Sequence, residues 1–328
     1  MRGKTASLII GVTGFVGRNL ANFIRMKGES VVGTYVSHKP SKKHFDAKIH
    51  LVRCDVTNQR SVETLIRRFS PASIYYLAAQ SSVREAWLSP VKTIQINFLG
   101  AVYLLEVLRR SRLKSNVLIF SSATTYGRSY QTGKPLTENA CLNPKDPYSV
   151  SKAGIDFFAR LYATTCGMHV TVVRLANLTG PGQTTIFSIS NFASQIARIE
   201  AGLQPPLLEV GDLSAVRDYL DIRDGIRALY LAMKFGKPGE AYNIASERSR
   251  SLRTVLEELI QLSKISKNQI KIRRKEALIP KDEISAIRLN CSKFQRLTGW
   301  RPQILFHQTL RDVLNEWRTQ IGTKTKQR

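Results

Sequence analysis

Between a short β-rich run, Ser7 to Gly11, and a segment with helical apolar spacing, Val16 to Met26, the chain reads Gly11-Val12-Thr13-Gly14-Phe15-Val16-Gly17. Glycines at that spacing let the backbone turn tightly and approach a pyrophosphate, which sits on the helix N-terminus. A glycine trio alone is weak, because glycines also serve plain turns. Lodged between a strand and a helix near the start of the chain, it reads as a dinucleotide fingerprint. This placement constrains the fold, because such a loop opens a βαβ unit in a parallel sheet.

The rest of the first half keeps the alternation. Strands are expected at Ser30 to Val36, His50 to Cys54, Ser73 to Leu77, Asn116 to Phe120 and Val170 to Leu175. Helices are expected at Ser61 to Phe69, Pro90 to Arg110 and Tyr148 to Thr165. The strands are continuous apolar runs, as strands covered on both faces are. The pattern predicts an α/β fold, a Rossmann-type doubly wound parallel sheet with right-handed crossovers and a smaller C-terminal lobe. After Leu175 the alternation breaks at Gly180-Pro181-Gly182, followed by a helix over Ser190 to Ala201 and a loop-rich stretch from Gly202 to Gly211. A helix over Gly225 to Phe235 and a strand over Gly239 to Ile244 return to the sheet; a helix, a basic strand-like stretch at Ile270 to Arg274 and short elements fill 251 to 319. The expected division is a dinucleotide-binding unit at 1–176 with return segments at 214–250, a substrate-binding lobe from 177–213 and 251–320, and a frayed basic tail at 321–328.

Composition narrows the class. Apolar residues make up 43% of 328, too many for a disordered chain. No apolar run approaches the roughly 20 residues that span a bilayer, so no membrane association is expected. The basic start followed by Ala6 to Val12 resembles a signal peptide only superficially, since that run leads straight into the glycine loop. Cys54, Cys141, Cys166 and Cys291 are scattered with no metal-ligand spacing, which suggests reduced thiols in a cytoplasmic protein and no metal. Lys and Arg number 50 against 24 Asp and Glu, a net charge of +26. A polyanion such as nucleic acid is one reading of that excess. The charges are spread, however, with local clusters only at Lys271 to Lys275 and Lys324 to Arg328, so a basic surface without a nucleic-acid partner is favoured.

Several positions carry chemistry. An NAD-selective site places an acid at the end of the second strand, on the ribose hydroxyl. Here that region reads Thr34-Tyr35-Val36-Ser37-His38-Lys39, with no acid and with cations beyond it, which favours NADP(H) over NAD(H). Asp55, after the third strand, is placed to accept from the adenine amino group, or simply to cap the next helix. Ser121-Ser122 ends the fifth strand, where ligands bind in such sheets, although a serine pair is also ordinary turn chemistry. Tyr148 and Lys152 stand four residues apart and share a helix face. An ammonium beside a phenol stabilises the phenolate, so Lys152 is expected to lower the Tyr148 pKa and make it a usable acid or base.

Together these residues resemble the extended short-chain dehydrogenase/reductases that modify nucleotide sugars. The resemblance rests on the glycine loop, Leu77-Ala78-Ala79-Gln80, Asn97, Ser121-Ser122 with Tyr126-Gly127, Tyr148 with Lys152, Arg174 to Asn177, and Arg217-Asp218 with Asp221 and Asp224, and runs from about residue 7 to about 318. Finer features, such as Ala79-Gln80-Ser81-Ser82-Val83, Gly180-Pro-Gly-Gln183, Gln195-Ile-Ala-Arg198 and Thr298-Gly-Trp300, are similar to the GDP-4-keto-6-deoxy-mannose reductases within that group. The resemblance implies that Tyr148 donates a proton to a keto oxygen, that Lys152 assists it and binds the nicotinamide ribose, and that Ser122 polarises the carbonyl. It implies cofactor contacts at Gly11, Thr13, Gly14, Phe15, Val16, Gly17, His38, Lys39, Asp55, Val56, Leu77, Ala78, Ala79, Gln80, Asn97 and Leu175, besides Tyr148 and Lys152. Substrate contacts are implied at Ser81, Arg84, Ser122, Ala123, Asn177, Arg198, Arg217, Lys281 and Arg288, of which Arg suits the pyrophosphate of a nucleotide sugar. A homodimer through the helices at 90–110 and 148–165 is implied as well.

Two departures matter. The 4,6-dehydratases of this group carry a Glu two residues before the Tyr126 position, often after an Asp, where this chain has Ala123 and Thr124. Without that acid, dehydration lacks its general acid/base, and reduction or 4-epimerisation remains. Pro280-Lys281-Asp282-Glu283 replaces the usual Arg-Pro-x-Glu, so Lys281 or Arg288 would supply the missing phosphate cation. The sequence thus predicts an NADPH-dependent reductase of a GDP-linked 4-keto-6-deoxy hexose. Its rivals are a nucleotide-sugar 4-epimerase and a non-catalytic nucleotide- or RNA-binding member of the same fold.

Overall fold

The expected alternation forms, with ends shifted by a residue or two. The computed structural model describes residues 6–37, 40–41, 45–276 and 284–325. Strand β1 (Ser7–Ile10) leads through the glycine loop into α1 (Phe15–Met26), followed by β2 (Val31–Tyr35), β3 (His50–Arg53), α2 (Gln59–Phe69) and β4 (Ser73–Tyr76). Next come α3 (Val83–Leu88), α4 (Pro90–Ile94) and α5 (Gly100–Ser111), the last two joined without a break by a π-helical turn at Gln95–Leu99. Strand β5 (Asn116–Phe120) runs into a 3-10 segment (Ala123–Thr132), then α6 (Pro147–Cys166) and β6 (Val170–Leu175).

The second half holds β7 (Asn177–Thr179), α7 (Ser188–Glu200), β8 (Leu207–Val210), β9 (Val216–Asp221), α8 (Ile222–Phe235) and β10 (Ala241–Ile244). It closes with β11 (Ser249–Ser251), α9 (Leu252–Gln261), β12 (Lys271–Arg274), α10 (Ser292–Thr298) and α11 (Phe306–Thr325).

The main sheet is parallel, in the order β10-β6-β5-β4-β1-β2-β3. The order reverses beside β1, and the crevice outside the strand C-termini at that point is where such sheets bind ligands. Alternate residues of each strand serve opposite faces. Leu8, Ile10, Ile74, Val117, Ile119 and Val172 pack with Leu65 of α2, Leu104 and Leu108 of α5, and Ile155 and Ala159 of α6. Ile9, Tyr75, Leu118 and Val173 pack on the other face with Leu20 and Ile24 of α1 and Ile226 and Leu229 of α8. Double coverage explains why these strands read as unbroken apolar runs.

A separate core joins α7, α9 and α11 through Phe192, Ile196, Val255, Leu259, Leu310 and Leu314. Beside it lie a small sheet ordered β11-β9-β7 and the pair β12-β8. Four expectations need correction here. The stretch read as loop contains β8, which pairs in parallel with β12 from Leu207↔Lys271 to Val210↔Arg274; a four-residue strand between prolines and glycine carries too little local signal. The short elements expected near the end are largely one helix, α11. That helix runs past Gly322 to Thr325, so the tail does not fray from 322; 326–328 lie outside the described residues. The run Pro90–Ser111 is also more apolar than expected, long enough and hydrophobic enough (mean hydropathy 1.4) to cross a membrane by composition alone. In this fold it instead covers the sheet, burying Ala101, Leu104, Leu105 and Leu108.

Candidate active site

At the β1–α1 turn, Gly11 has φ +94°, and a Cβ there would lie 2.8 Å from the Ala78 backbone nitrogen. A Cβ on Gly17 would lie 2.3 Å from the Gly11 carbonyl. Both glycines are therefore demanded by the protein's own backbone. Gly14 is different: its φ is −70°, and a Cβ would meet only the Gly11 oxygen, at 3.6 Å. Neither strain nor internal packing requires a glycine at 14, whereas a phosphate resting on this helix end would. The first turn of α1 carries no side-chain cap and no acid, so its N-terminus suits an anion. Leu77, Ala78 and Ala79 follow β4 beside this loop, with the Leu77 N–H donating to Ile10 at 2.9 Å.

At the end of β2, Thr34 Oγ1 accepts the Gly11 N–H at 3.0 Å, coupling the strand end to the glycine loop. His38 and Lys39 lie outside the described residues. A cation that the sequence reading overlooked does stand here. Arg53, paired in register with Tyr35, donates from Nε to the Val36 carbonyl at 3.1 Å, which brings an exposed guanidinium to the β2 end. Its sequence signal was faint, since a basic residue closing an edge strand is unremarkable. Asp55 is exposed and accepts from the Thr57 N–H and hydroxyl at 2.9 and 2.8 Å. It does not cap α2; Asn58 does, accepting from Ser61. The Val56 side chain is buried in the sheet core.

The Ser122, Tyr148 and Lys152 positions converge where β5 ends against the start of α6. Asp146 caps α6 in a reciprocal capping box with Ser149, and Pro147 takes the first helical position. This fixes Tyr148 in the first turn and Lys152 one turn later. Lys152 Nζ donates to the Phe120 carbonyl at 2.8 Å, while Ser121 Oγ donates to the Lys152 carbonyl at 3.3 Å. Helix and strand end are thus tied in both directions. Asn97, turned inward within the π-helical turn, donates to Ser151 Oγ at 3.0 Å and holds the Gln80 N–H and carbonyl at 2.8 and 3.0 Å. Gln80 uses its own amide on Ser82 and Thr93. Asn97 and Gln80, two residues expected to contact the cofactor, use their side-chain amides on the protein itself and fix the loop after β4 against α6.

The expected electrostatics of the pair are reversed. Burial pushes the Tyr148 phenol up to about 12, partly offset by hydrogen bonding to Ser122 and reinforced by Asp146. Burial also pulls the Lys152 ammonium down to about 8. The ammonium is turned to the Phe120 carbonyl, and desolvation of the phenol dominates. Burial thus favours the protonated phenol at Tyr148.

Ser122 caps the 3-10 segment: its Oγ accepts the Thr124 N–H at 3.2 Å and lies 2.9 Å from Thr124 Oγ1. Ala123, expected on the substrate, is buried in a cluster with Tyr126 and Tyr130, and its carbonyl accepts from Tyr130 at 2.9 Å. Sequence reasoning also missed the support beneath this segment. Arg174 makes a two-pronged bond to Asp156 at 2.8 and 2.9 Å and donates to Tyr126 at 2.9 Å; Tyr126 donates to Asn243 at 2.8 Å. Asp156 continues the four-residue spacing of Tyr148 and Lys152 on α6, a signal that was present but unread.

The remaining expected substrate residues are more dispersed. Ser81, Arg84 on α3, Asn177 at the start of β7 and Arg198 in the last turn of α7 are exposed. Arg217 is buried, with Nη1 donating to the Val216 and Ile284 carbonyls at 2.8 and 2.7 Å. Arg288 is exposed and donates to the Gly133 carbonyl at 3.2 Å, just past the 3-10 segment. Lys281 lies outside the described residues. Leu175 ends β6 and is buried.

A glycine loop at a strand reversal, with a tyrosine, lysine and serine gathered at a neighbouring strand end, defines a Rossmann-type short-chain dehydrogenase/reductase. Residues 8–313 match the GDP-mannose 4,6 dehydratase family, and the chain belongs to it. The GDP-6-deoxy-D-mannose reductase of Pseudomonas aeruginosa is 30% identical over 313 residues, covering 95% of this chain and 97% of its own. The dTDP-glucose 4,6-dehydratase of Haemophilus influenzae is 26% identical, covering 94% and 96%. The solved structure of RMD from Pseudomonas aeruginosa complexed with NADPH matches with a TM-score of 0.81 at 30% identity, over 96% of this chain and all (100%) of that one.

Proposed function

We propose that this protein is an NADPH-dependent reductase of the 4-keto group of a GDP-4-keto-6-deoxy-hexose, giving a GDP-rhamnose type product. The observation that carries this reading is the gathering of Ser122, Tyr148 and Lys152 at the β5 end, with Ala123 and Thr124 where a dehydratase needs its acid. Reduction of a ketone needs an acid to protonate the developing alkoxide, and the Tyr148 phenol, whose proton burial favours, can supply it. The reductase among the relatives agrees with this choice.

The cofactor, when bound, supplies the hydride to the carbonyl carbon. Ser122 donates a hydrogen bond to the keto oxygen and polarises it. Tyr148 gives that oxygen its proton, and the Lys152 ammonium one turn along steadies the phenolate left behind. The glycine loop and the N-terminus of α1 hold the pyrophosphate. At the β2 end, the absence of an acid and the Arg53 guanidinium fit the extra phosphate of NADPH. Arg217, Arg288, Asn177 and Arg198 would contact the nucleotide sugar, the arginines suiting its pyrophosphate.

Supplying GDP-4-keto-6-deoxy-mannose with NADPH tests the reading. One NADPH is oxidised per sugar reduced, with a GDP-6-deoxy sugar as product. An epimerase would show turnover without net NADPH consumption, and a non-catalytic member would show none. We further infer a homodimer. Trp87, Leu88 and Val91 on α3 and α4, and Val150, Phe157 and Leu161 along one face of α6, are exposed apolar residues suited to a second copy of the same helices. Sedimentation at twice the chain mass checks this. With Cys54, Cys141, Cys166 and Cys291 all unpaired, a reducing cytoplasmic setting is consistent.

A further inference from the structure

We propose that Thr124 is a positioning residue whose hydroxyl donates to Ser122 and thereby frees the Ser122 proton for the keto oxygen, a role that rests on the reductase reading. A serine hydroxyl has one proton and two lone pairs. At Ser122 one lone pair is taken by the Thr124 N–H at 3.2 Å, and the Thr124 hydroxyl stands 2.9 Å away. If Ser122 donated across that contact, its only proton would point at Thr124 and away from the reacting carbonyl. If Thr124 donates, both lone pairs of Ser122 are filled and its proton is directed to the side where the Tyr148 phenol also interacts with Ser122, the side on which the keto oxygen would take it. A donor that itself accepts hydrogen bonds is also a stronger donor.

The surroundings single out this hydroxyl. Thr125 next along is buried and locked, its hydroxyl donating to the Ser122 carbonyl at 2.6 Å. Ala123 offers a methyl only. Thr124 alone of these three neighbours is partly exposed, so its hydroxyl is free to turn and give its proton to Ser122 when a carbonyl arrives. The backbone that presents it is held from below by Tyr130 on the Ala123 carbonyl and by Tyr126 on Arg174. At this position a hydroxyl stands where the dehydratases carry a carboxylate. A hydroxyl does not ionise near neutral pH, so it orients Ser122 without acting as a base.

Thr124→Val keeps the shape and the backbone N–H but removes the hydroxyl, and Thr124→Ser restores it. We expect Thr124→Val to lower kcat about ten-fold, the loss of one hydrogen bond in the transition state. KM for the sugar, NADPH affinity by fluorescence and the thermal midpoint should stay at wild-type values, and Thr124→Ser should return kcat to within about three-fold of wild type. Full kcat in Thr124→Val, or a serine variant as slow as the valine one, overturns the proposal while leaving the reductase reading intact. A wild-type protein that binds NADPH yet oxidises none of it with the keto sugar overturns both.

Discussion

The corner where β5 meets α6 and the surface facing the substrate are built in opposite ways. At the corner, Lys152, Ser121 and Asn97 are each bonded to another element, Ser149 and Asp146 close the capping box of α6, and the Arg174–Asp156 pair beneath is wholly buried. Among the residues proposed to contact the substrate, Arg84, Arg198 and Arg288 reach into solvent from three different segments. The first arrangement is preorganised, as a reacting centre must be to stabilise charge without rearranging. The second leaves long side chains to settle on their ligand. On the proposed function, the difference implies that chemistry rests on the sheet and its nearest helix, while sugar and base preference rests on exposed side chains from α3, α7 and the segment before α10.

The contrast can be broken most forcefully at Tyr148. Tyr148→Phe should lower kcat by about 10² to 10⁴ with NADPH binding unchanged, the range for a lost general acid; an active phenylalanine variant would remove Tyr148 from the mechanism. Next is the buried support. Asp156→Ala leaves the Arg174 charge unpaired and should destabilise the fold by about 3–5 kcal/mol in urea denaturation, because stranding one partner of a buried pair is costly. A loss under 1 kcal/mol would show that the corner is looser than its bonds suggest.

A third measurement uses pH. The Lys152 ammonium, ordinarily near 10.5, is held at about 8 by burial. Turnover should therefore fall about ten-fold per pH unit above 8 as the charge is lost. Over 8 to 10.5 the folded state binds fewer protons at this site than the unfolded chain, so the Lys152 contribution to stability rises while activity falls. Rate and stability moving together across that window would count against the assignment. The smallest effect is expected on the open side: Arg288→Ala should raise the sugar KM only a few-fold, leave kcat alone and spare NADPH affinity. A collapse in kcat there would erase the distinction between the two regions.

Legibility in the sequence follows the same division. The parallel sheet was readable because strands covered on both faces must be apolar throughout, as Val117 to Phe120 and Val170 to Val173 are. The glycine loop and the Tyr148–Lys152 spacing were readable because short-range geometry sets them. Properties set by distant partners were not. β8 exists through its pairing with β12, and the direction of the Tyr148 pKa is set by burial, which the four-residue spacing to Lys152 does not report. Arg53 reaches the β2 end only because β2 and β3 lie side by side in register. The Arg174–Asp156 bond likewise joins a strand to a helix, and neither residue alone announces the other.

The π-helical turn at Gln95–Leu99 has a consequence for how this chain tolerates length change. A π turn holds one more residue than the α turn it replaces, and each α-helical residue rotates the chain by about 100°. Deleting one residue there would let the helix close into regular α geometry and swing either Asn97 away from Ser151 or Leu104 and Leu108 off the sheet. The segment between Pro90 and Ser111 is thus fixed in residue number as well as in composition, and indels that surface loops absorb readily would disconnect α6 from the loop after β4.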